Sequence, residues 1–149
     1  MSRGLRGGRI HTNFSPDWIS RVGACLEYAG LEPRMMVDCS HANSAKDHGK
    51  KPQVCHAVAG QIEAGEKRIM GVMLESNLVG GAQKPGPRER LVYGQSITDS
   101  CMGWEETLLL LSKLAEAASS RKLSHPMKAG LCVAGSMNEK AGRATASAK

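Results

Sequence analysis

The sequence predicts an α/β fold with parallel strands, and three observations lead to this prediction. Short apolar runs of strand type alternate along the chain with segments of helical periodicity. Each of three such runs ends in polar residues, among which lie His41, Glu75 and Asp99. The length of 149 residues and the hydrophobic content of 41% suit one modest domain with its own core.

The first helix is predicted to follow Ser15, which suits an N-cap, with Pro16 and Asp17 in its first turn. Gly30 is predicted to end this helix, because glycine readily adopts the left-handed conformation found after helix ends. We expect its buried stripe to comprise four residues at helical spacing: Trp18, Val22, Leu26 and Ala29. The first strand is expected over residues 34–40.

A second helix is predicted over residues 52–64, with Val54, Val58 and Ile62 spaced by four on its buried side. The second strand is expected over residues 68–74. Gly80-Gly81 and the Pro- and Gly-rich stretch 84–88 predict a long irregular loop, and loops of this length inside a domain are commonly functional. A short third strand is expected over residues 95–99.

The last helix is predicted over residues 103–122, with acidic residues in its first turn and basic residues in its last. We expect one apolar side formed by four residues and widened by two more, namely Trp104, Leu108, Leu111 and Ala115, then Leu110 and Leu114. The composition changes after Ser124 to Ala, Gly, Ser and Lys. Residues 125–149 are therefore predicted to be a disordered tail, and residues 1–124 the domain.

Strand-end side chains of parallel strands face a common edge of the sheet, where α/β folds place their chemistry. Taken singly, His41 could be a hydrogen-bonded structural histidine, Glu75 a solvated loop residue, and Asp99 the cap of the last helix. Together, one imidazole and two carboxylates at three strand ends predict a divalent metal site. This donor set suits manganese, iron or cobalt, and zinc also accepts it.

Composition limits the other classes of function. The net charge of +6 suits anionic partners, but Lys and Arg are scattered and aromatic residues make up only 3%, which argues against nucleic-acid binding. The five cysteines form no CxxC pair, which indicates reduced thiols in the cytoplasm. No apolar run approaches the roughly 20 residues of a membrane span, and the N-terminus does not have the form of a signal peptide.

Three parallel strands make only part of a sheet, and both of its edges would be open. A closed (β/α)₈ barrel has eight strands and about 250 residues. The sequence therefore predicts the back part of a larger barrel.

Several ordered segments resemble the carboxyl-terminal part of the class I 3-deoxy-D-arabino-heptulosonate 7-phosphate (DAHP) synthases, and the resemblance covers residues 5 to about 122. The segments that carry it are Leu5-Arg6-Gly7-Gly8, Asp38-Cys39-Ser40-His41-Ala42-Asn43-Ser44, Gly65-Glu66-Lys67, Gly71-Val72-Met73-Leu74-Glu75-Ser76, Tyr93-Gly94-Gln95-Ser96-Ile97-Thr98-Asp99-Ser100-Cys101 and Gly103-Trp104-Glu105.

The resemblance implies a (β/α)₈ barrel to which this chain supplies the end of strand five and strands six to eight. It implies condensation of phosphoenolpyruvate with erythrose 4-phosphate, the first step of the shikimate pathway, in a homo-oligomeric family. His41, Glu75 and Asp99 match the family's metal ligands, and His41 and Asp99 are expected to be catalytic. Arg6 matches the arginine that holds the phosphate of phosphoenolpyruvate.

The chain also departs from the family pattern. The family's fourth metal ligand is a cysteine from an early loop that precedes this chain, as do most of its substrate-binding groups. Cys39 lies two residues from His41 and could approach the site, although a small core residue is the simpler interpretation. We therefore expect the isolated chain to be inactive or nearly so. The alternatives are a non-catalytic fragment that binds metal or pairs with a full-length synthase, and a basic nucleic-acid-binding module.

Overall fold

The computed structural model describes residues 11–124, with side chains up to residue 121. Within this range the chain forms three α-helices and four strands in the order α1 (Pro16–Tyr28), β1 (Met35–Asp38), α2 (Lys51–Glu63), β2 (Ile69–Met73), β3 (Val79–Ala82), β4 (Gln95–Ser96) and α3 (Trp104–Ser124). Short 3-10 helices span His48–Lys50 and Arg88–Arg90. The predicted phosphate ligand Arg6 and the predicted tail 125–149 lie outside the described residues. Residues 11–124 include no helix that is long and apolar enough to cross a membrane.

The strands pair in parallel, which confirms the predicted α/β class. β1 lies beside β2 with Val37 opposite Val72, and β3 lies beside β4 with Val79 opposite Gln95. The two pairs form separate two-stranded sheets in the described part of the chain, so the third predicted strand pairs with β3 rather than with β2. A parallel bridge between Ser76 and Met102 joins the two sheets beyond the end of β2.

The prediction of a long irregular loop between the second and third strands was wrong for its first part, which forms β3. The sequence Val79-Gly80-Gly81-Ala82 has neither alternation nor β-branched residues beyond its first position, so no periodic signal marked it. Its backbone is held instead by distant partners. Gly81 donates to the carbonyl of Cys101 at 2.8 Å and Cys101 donates back at 3.0 Å.

The core lies between the helices and one face of the β1–β2 sheet. All three residues predicted for the buried side of α2, Val54, Val58 and Ile62, are buried there. They pack with residues from every helix, from the first two strands and from the segments that follow β1 and β4: Ile19, Met35, Val37, Cys39, Cys55, Ala59, Ile69, Met102, Leu110 and Ala117. The aliphatic character of this core agrees with the low aromatic content.

The predicted buried stripe of α1 was shifted by one residue. Ile19 is fully buried and Gly23 is buried, whereas Trp18 is 37% exposed and Ala29 is exposed. The guanidinium of Arg21 lies 5.8 Å from the Trp18 ring centroid, which gives this indole a polar neighbour at the surface. Val22 and Leu26 pack at the edge of the core in both interpretations.

The predicted apolar side of α3 is also largely on the solvent side. Trp104, Leu108 and Leu111 are each 44–48% exposed, and Thr107 and Ala117 are buried instead. Leu110 is buried and Leu114 packs against the core, as expected for the two widening residues. Both sides of this helix are apolar, so periodicity alone did not decide which side faces the core.

The sheet face that points away from the helices is exposed. Met70 is 62% exposed beside the buried Ile69 on β2, and Ile97 just after β4 is 48% exposed. Strands alternate side chains between two faces, and parallel sheets are normally covered on both. The described residues cover only the helix side.

A bidentate ion pair between Arg68 and Glu66 lies at the end of the molecule opposite the strand carboxyl ends. Arg68 Nε lies 2.8 Å from Glu66 Oε1, and its NH2 lies 2.6 Å from Oε2. The hydrogen bonds from Arg68 lower the pKa of Glu66 below its ordinary value of 4.5, although partial burial opposes this. A carboxyl whose pKa is depressed by folding stabilises the protein above its unfolded pKa and loses that contribution as pH falls through the folded pKa.

We therefore expect Glu66→Gln to lower the unfolding free energy by about 1 kcal/mol at pH 7, with the difference from the wild type shrinking as pH falls below 4.5 towards the depressed folded pKa. Urea unfolding of both proteins between pH 7 and pH 3 measures this difference. The control Glu63→Gln removes an exposed pair, 3.7 Å from Lys113, and should change stability at pH 7 by less than ~0.5 kcal/mol. A Glu66→Gln difference that stays constant over the whole pH range would contradict the assignment.

Candidate metal centre

Three side chains meet beyond the carboxyl ends of the strands. His41 follows β1, Glu75 follows β2 and Asp99 follows β4. His41 Nε2 lies 3.2 Å from Glu75 Oε1 and 4.0 Å from Asp99 Oδ2. One ligand atom of each residue lies within 4.8 Å of the others, which is close enough for a single cation to contact all three. The structure thus brings together the three residues that the strand-end pattern singled out.

The loop that carries His41 has an unusual backbone. Of the described non-glycine residues, only His41, Ala45 and Lys46 have positive φ, at 44°, 54° and 61°. Such conformations are costly for residues with a Cβ and persist only where the surroundings enforce them. The buried Asn43 ties this loop to the rest of the fold, since its Nδ2 donates to the Asp38 carbonyl at 2.7 Å and to Asn13 Oδ1 at 2.9 Å.

Asp38 sets the orientation of the His41 ring. Its Oδ2 lies 2.9 Å from His41 Nδ1, and its Oδ1 accepts the Ser40 amide at 2.8 Å. Asp38 is only 4% exposed, so its carboxylate is held within the fold. An ionised carboxylate can only accept, so Nδ1 carries a hydrogen and Nε2 is turned towards Glu75 and Asp99. Histidines that bind metals typically donate their other ring N–H to a carboxylate in this way.

Glu75 is fixed through both its backbone and its side chain. Its amide donates to the hydroxyl of the fully buried Ser40 at 3.0 Å. Its Oε2 accepts from Lys51 Nζ at 2.8 Å, while Oε1 faces His41. The two oxygens therefore have different roles, and Oε1 is the one presented to the centre.

Asp99 is the most exposed member of the set, with half of its side chain open to solvent. α3 begins at Trp104, so the residue that precedes this helix is Gly103, and Asp99 is not placed as its cap. The side chains of His41 and Glu75 are 34% and 24% exposed. The centre is therefore open on the Asp99 side, where a small molecule can approach.

The arrangement concentrates negative charge around one imidazole nitrogen. Nε2 of His41 and the facing oxygens of Glu75 and Asp99 are all acceptors unless a proton or a cation lies among them. Like partial charges at these distances repel, so the geometry calls for a positive charge at the centre. One nitrogen and two carboxylate oxygens form a donor set that fits manganese, iron, cobalt or zinc.

Cys39 is part of the core and not of this centre. Cys39 is fully buried, and Cys55 is only 1% exposed. All four described cysteines are free thiols. The hydrogen bond between the two thiols, followed by burial, raises the pKa of Cys39 far above its usual range, and the same bond lowers the pKa of Cys55. Cys39 is thus kept as a thiol, whereas metal ligation needs a thiolate.

Four residues that shape the centre were given no role by the sequence analysis: Asp38, Ser40, Asn43 and Lys51. The first three belong to the polar run that follows β1, and their density after an apolar strand was the available signal. Lys51 lies 24 residues before its partner Glu75 and reaches it only through the packing of α2. No spacing in the sequence marked it.

Comparisons with known proteins point to one family. A family model described as the DAHP synthetase I family matches residues 1–112. A phospho-2-dehydro-3-deoxyheptonate aldolase of Alternaria alternata is 50% identical over 121 residues, covering 79% of this chain and 32% of that protein. The Phe-sensitive enzyme of that name from Escherichia coli strain K12 is 48% identical over 118 residues, covering 79% of this chain and 33% of the relative.

A solved structure shares the fold as well. The phospho-2-dehydro-3-deoxyheptonate aldolase of Francisella tularensis superposes with a TM-score of 0.72 at 44% sequence identity, covering 78% of this chain and 34% of that structure. The chain thus spans about a third of the length of the relatives it matches. Since the family model covers most of the 149 residues, the chain belongs to the DAHP synthetase I family.

Proposed function

We propose that this chain supplies the metal-binding βα units of a DAHP synthase, the enzyme that condenses phosphoenolpyruvate with erythrose 4-phosphate and releases phosphate. The observation that carries the proposal is the convergence of His41, Glu75 and Asp99 at the strand carboxyl ends. The names of the relatives support the same reaction. The cation is proposed to be manganese, iron or cobalt, with zinc also accepted by the donor set.

The proposed roles follow from the contacts. Asp38 holds the His41 ring so that Nε2 faces the centre, and Lys51 and Ser40 hold Glu75 beside it. His41 and Asp99 form the open side and are the groups nearest to an incoming substrate.

When bound, a divalent cation would supply Lewis-acid polarisation of the erythrose 4-phosphate aldehyde. The enol carbon of phosphoenolpyruvate then attacks that carbonyl carbon, water adds at the neighbouring carbon, and phosphate leaves. Arg6 remains the proposed phosphate ligand.

The exposed apolar surfaces support the proposal that further βα units complete the barrel. Met70 and Ile97 project from the uncovered sheet face, and Trp104, Leu108 and Leu111 line the solvent side of α3. A closed barrel fills its interior with side chains from all eight strands, so Met70 and Ile97 would be covered in it. These surfaces, and the fact that the chain spans only about a third of the length of its relatives, motivate the proposal that the 149 residues do not catalyse the reaction alone.

The test is turnover by the purified chain with both substrates and Mn²⁺. We expect no measurable product from the chain alone, because substrate-binding groups and a fourth ligand are expected to come from other units. We expect product when the first two thirds of a relative is added as a separate polypeptide, and no product from the same mixture when this chain carries His41→Ala. Activity of the chain alone comparable to that of a full-length relative would refute its incompetence.

The exposed surfaces also favour a second candidate, a non-catalytic chain that pairs with a full-length synthase. In that case the chain should co-purify with an intact relative without raising its activity. Product formation in the two-polypeptide mixture described above would favour the first candidate, and co-purification without it the second.

A further inference from the structure

Lys51 is an unusual residue for its position. Its side chain is 1% exposed, and Lys51 is the only described lysine that is buried. It is also the first residue of α2, whose first turn has no acidic residue. Burial disfavours an ammonium group, and the positive end of the helix dipole disfavours it further. A cation at this place needs strong partners to be retained.

Two partners are present, and they belong to different segments. Lys51 Nζ donates to Glu75 Oε2 at 2.8 Å and to the backbone carbonyl of Ser100 at 2.6 Å. Glu75 follows β2, and Ser100 is the neighbour of Asp99 beyond β4. One ammonium group therefore links the side chain of one candidate ligand to the backbone beside another.

The short 3-10 helix before α2 strengthens this link. Ser100 Oγ lies 2.7 Å from His48 Nδ1, so Ser100 is held by His48 through its side chain and by Lys51 through its carbonyl. Backbone bonds also join these segments, since the Met102 amide donates to the Glu75 carbonyl at 3.0 Å. Those bonds hold the main chain of Glu75 but leave its carboxylate free to rotate. Lys51 is the group that donates a hydrogen bond to Oε2 of this carboxylate, whose Oε1 faces His41.

We propose that Lys51 is the positioning residue of the metal centre, holding Glu75 Oε2 so that Oε1 is presented beside His41 and Asp99. This inference rests on the proposed function, because it assumes that the three residues bind a cation. Two effects of the lysine oppose each other. Its charge repels a cation, while its hydrogen bonds fix the ligand geometry before binding. The proposal states that the second effect dominates.

Lys51→Met in the full chain tests this directly, because methionine is unbranched, of similar length and uncharged. We expect Mn²⁺ binding, measured by isothermal titration calorimetry, to weaken by about 10- to 100-fold, as is typical when an outer partner of a metal ligand is lost. The matched control is Lys50→Met, which removes the adjacent but exposed lysine and should leave the Mn²⁺ affinity within about threefold. Lys51→Met binding that is equal to or tighter than that of the wild type would overturn the proposal.

A second measurement on the wild type keeps the proposal testable if Lys51→Met does not fold, which circular dichroism would show. In ¹H–¹⁵N spectra of lysine ammonium groups, Lys51 should give a slowly exchanging signal that shifts as Zn²⁺ is added, with the same half-saturation as calorimetric Zn²⁺ binding. Absence of a protected ammonium signal, or a signal that Zn²⁺ does not move, would overturn the proposal. Failure of the wild type to bind either metal overturns the proposed function as well, whereas wild-type binding with an unaffected variant overturns only the role of Lys51.

Discussion

His41→Ala is expected to weaken Mn²⁺ binding by about 100-fold or more, a larger loss than the ~10- to 100-fold that follows removal of an outer partner. The imidazole contributes the only nitrogen among the three clustered ligands, and its Nε2 lies 3.2 Å from Glu75 Oε1. Without it, only two carboxylate ligands remain, and they lie on separate segments. Calorimetric titration of the wild type and the variant with Mn²⁺ measures the change.

The control is His56→Ala, because His56 is an exposed histidine on α2 and should leave the affinity unchanged. Asp38→Asn should give an intermediate loss of about 10- to 100-fold, since an amide can also donate and so does not enforce the His41 tautomer that an ionised carboxylate enforces. Both losses should appear without a matching loss of helical signal in circular dichroism. Equal affinity in the wild type and in His41→Ala would remove the basis of the proposed function.

Ile19→Ala is expected to destabilise the fold by about 2–5 kcal/mol, whereas Trp18→Ala should cost less than ~1 kcal/mol. Ile19 is fully buried against the core, so its truncation leaves a cavity. Trp18 is 37% exposed, and its main polar neighbour is the Arg21 guanidinium at 5.8 Å from the ring. The larger side chain should therefore matter less than the smaller one beside it.

Urea unfolding followed by circular dichroism measures both variants under the same conditions. The comparison is sharp because the two residues are adjacent on α1 and have similar helix propensity, so differences in helix formation cancel. A larger loss for Trp18→Ala than for Ile19→Ala would mean that the helix packs through the stripe expected from periodicity. It would also show that the described orientation of α1 is wrong.

The existence and type of the main elements could be predicted, but the faces of two helices could not. For α2, Val54, Val58 and Ile62 are the only large apolar side chains at helical spacing, so the pattern had one solution. For α1, Trp18 and Ile19 offered competing stripes, and α3 is apolar on both sides. Periodicity predicts that a segment is helical, but where two faces are apolar it does not predict which face is buried. The packing partners of the helix decide that.

The ligands of the candidate centre were predictable, and their supporting residues mostly were not. His41, Glu75 and Asp99 each follow an apolar strand, and parallel strands bring such ends to one edge. β3 carried no such signal, because its glycines are held in place by backbone bonds to Cys101 and to residues near β4. No local sequence pattern predicted the role of Lys51 either, since its contacts lie 24 and 49 positions away in the chain.

The sequence by itself determined the parallel α/β class, the family and the three residues that converge as candidate ligands. These features depend on the periodicity and the polar strand ends of short segments, so residues close together in the chain are sufficient to predict them. Only the tertiary structure decided the oxygen of Glu75 that faces His41, the carboxylate that orients the imidazole and the lysine that is buried behind the centre. These features depend on side chains that are distant along the chain and meet only when the helices pack against the sheet. Their positions are set by burial and hydrogen bonding between segments, which no local pattern records.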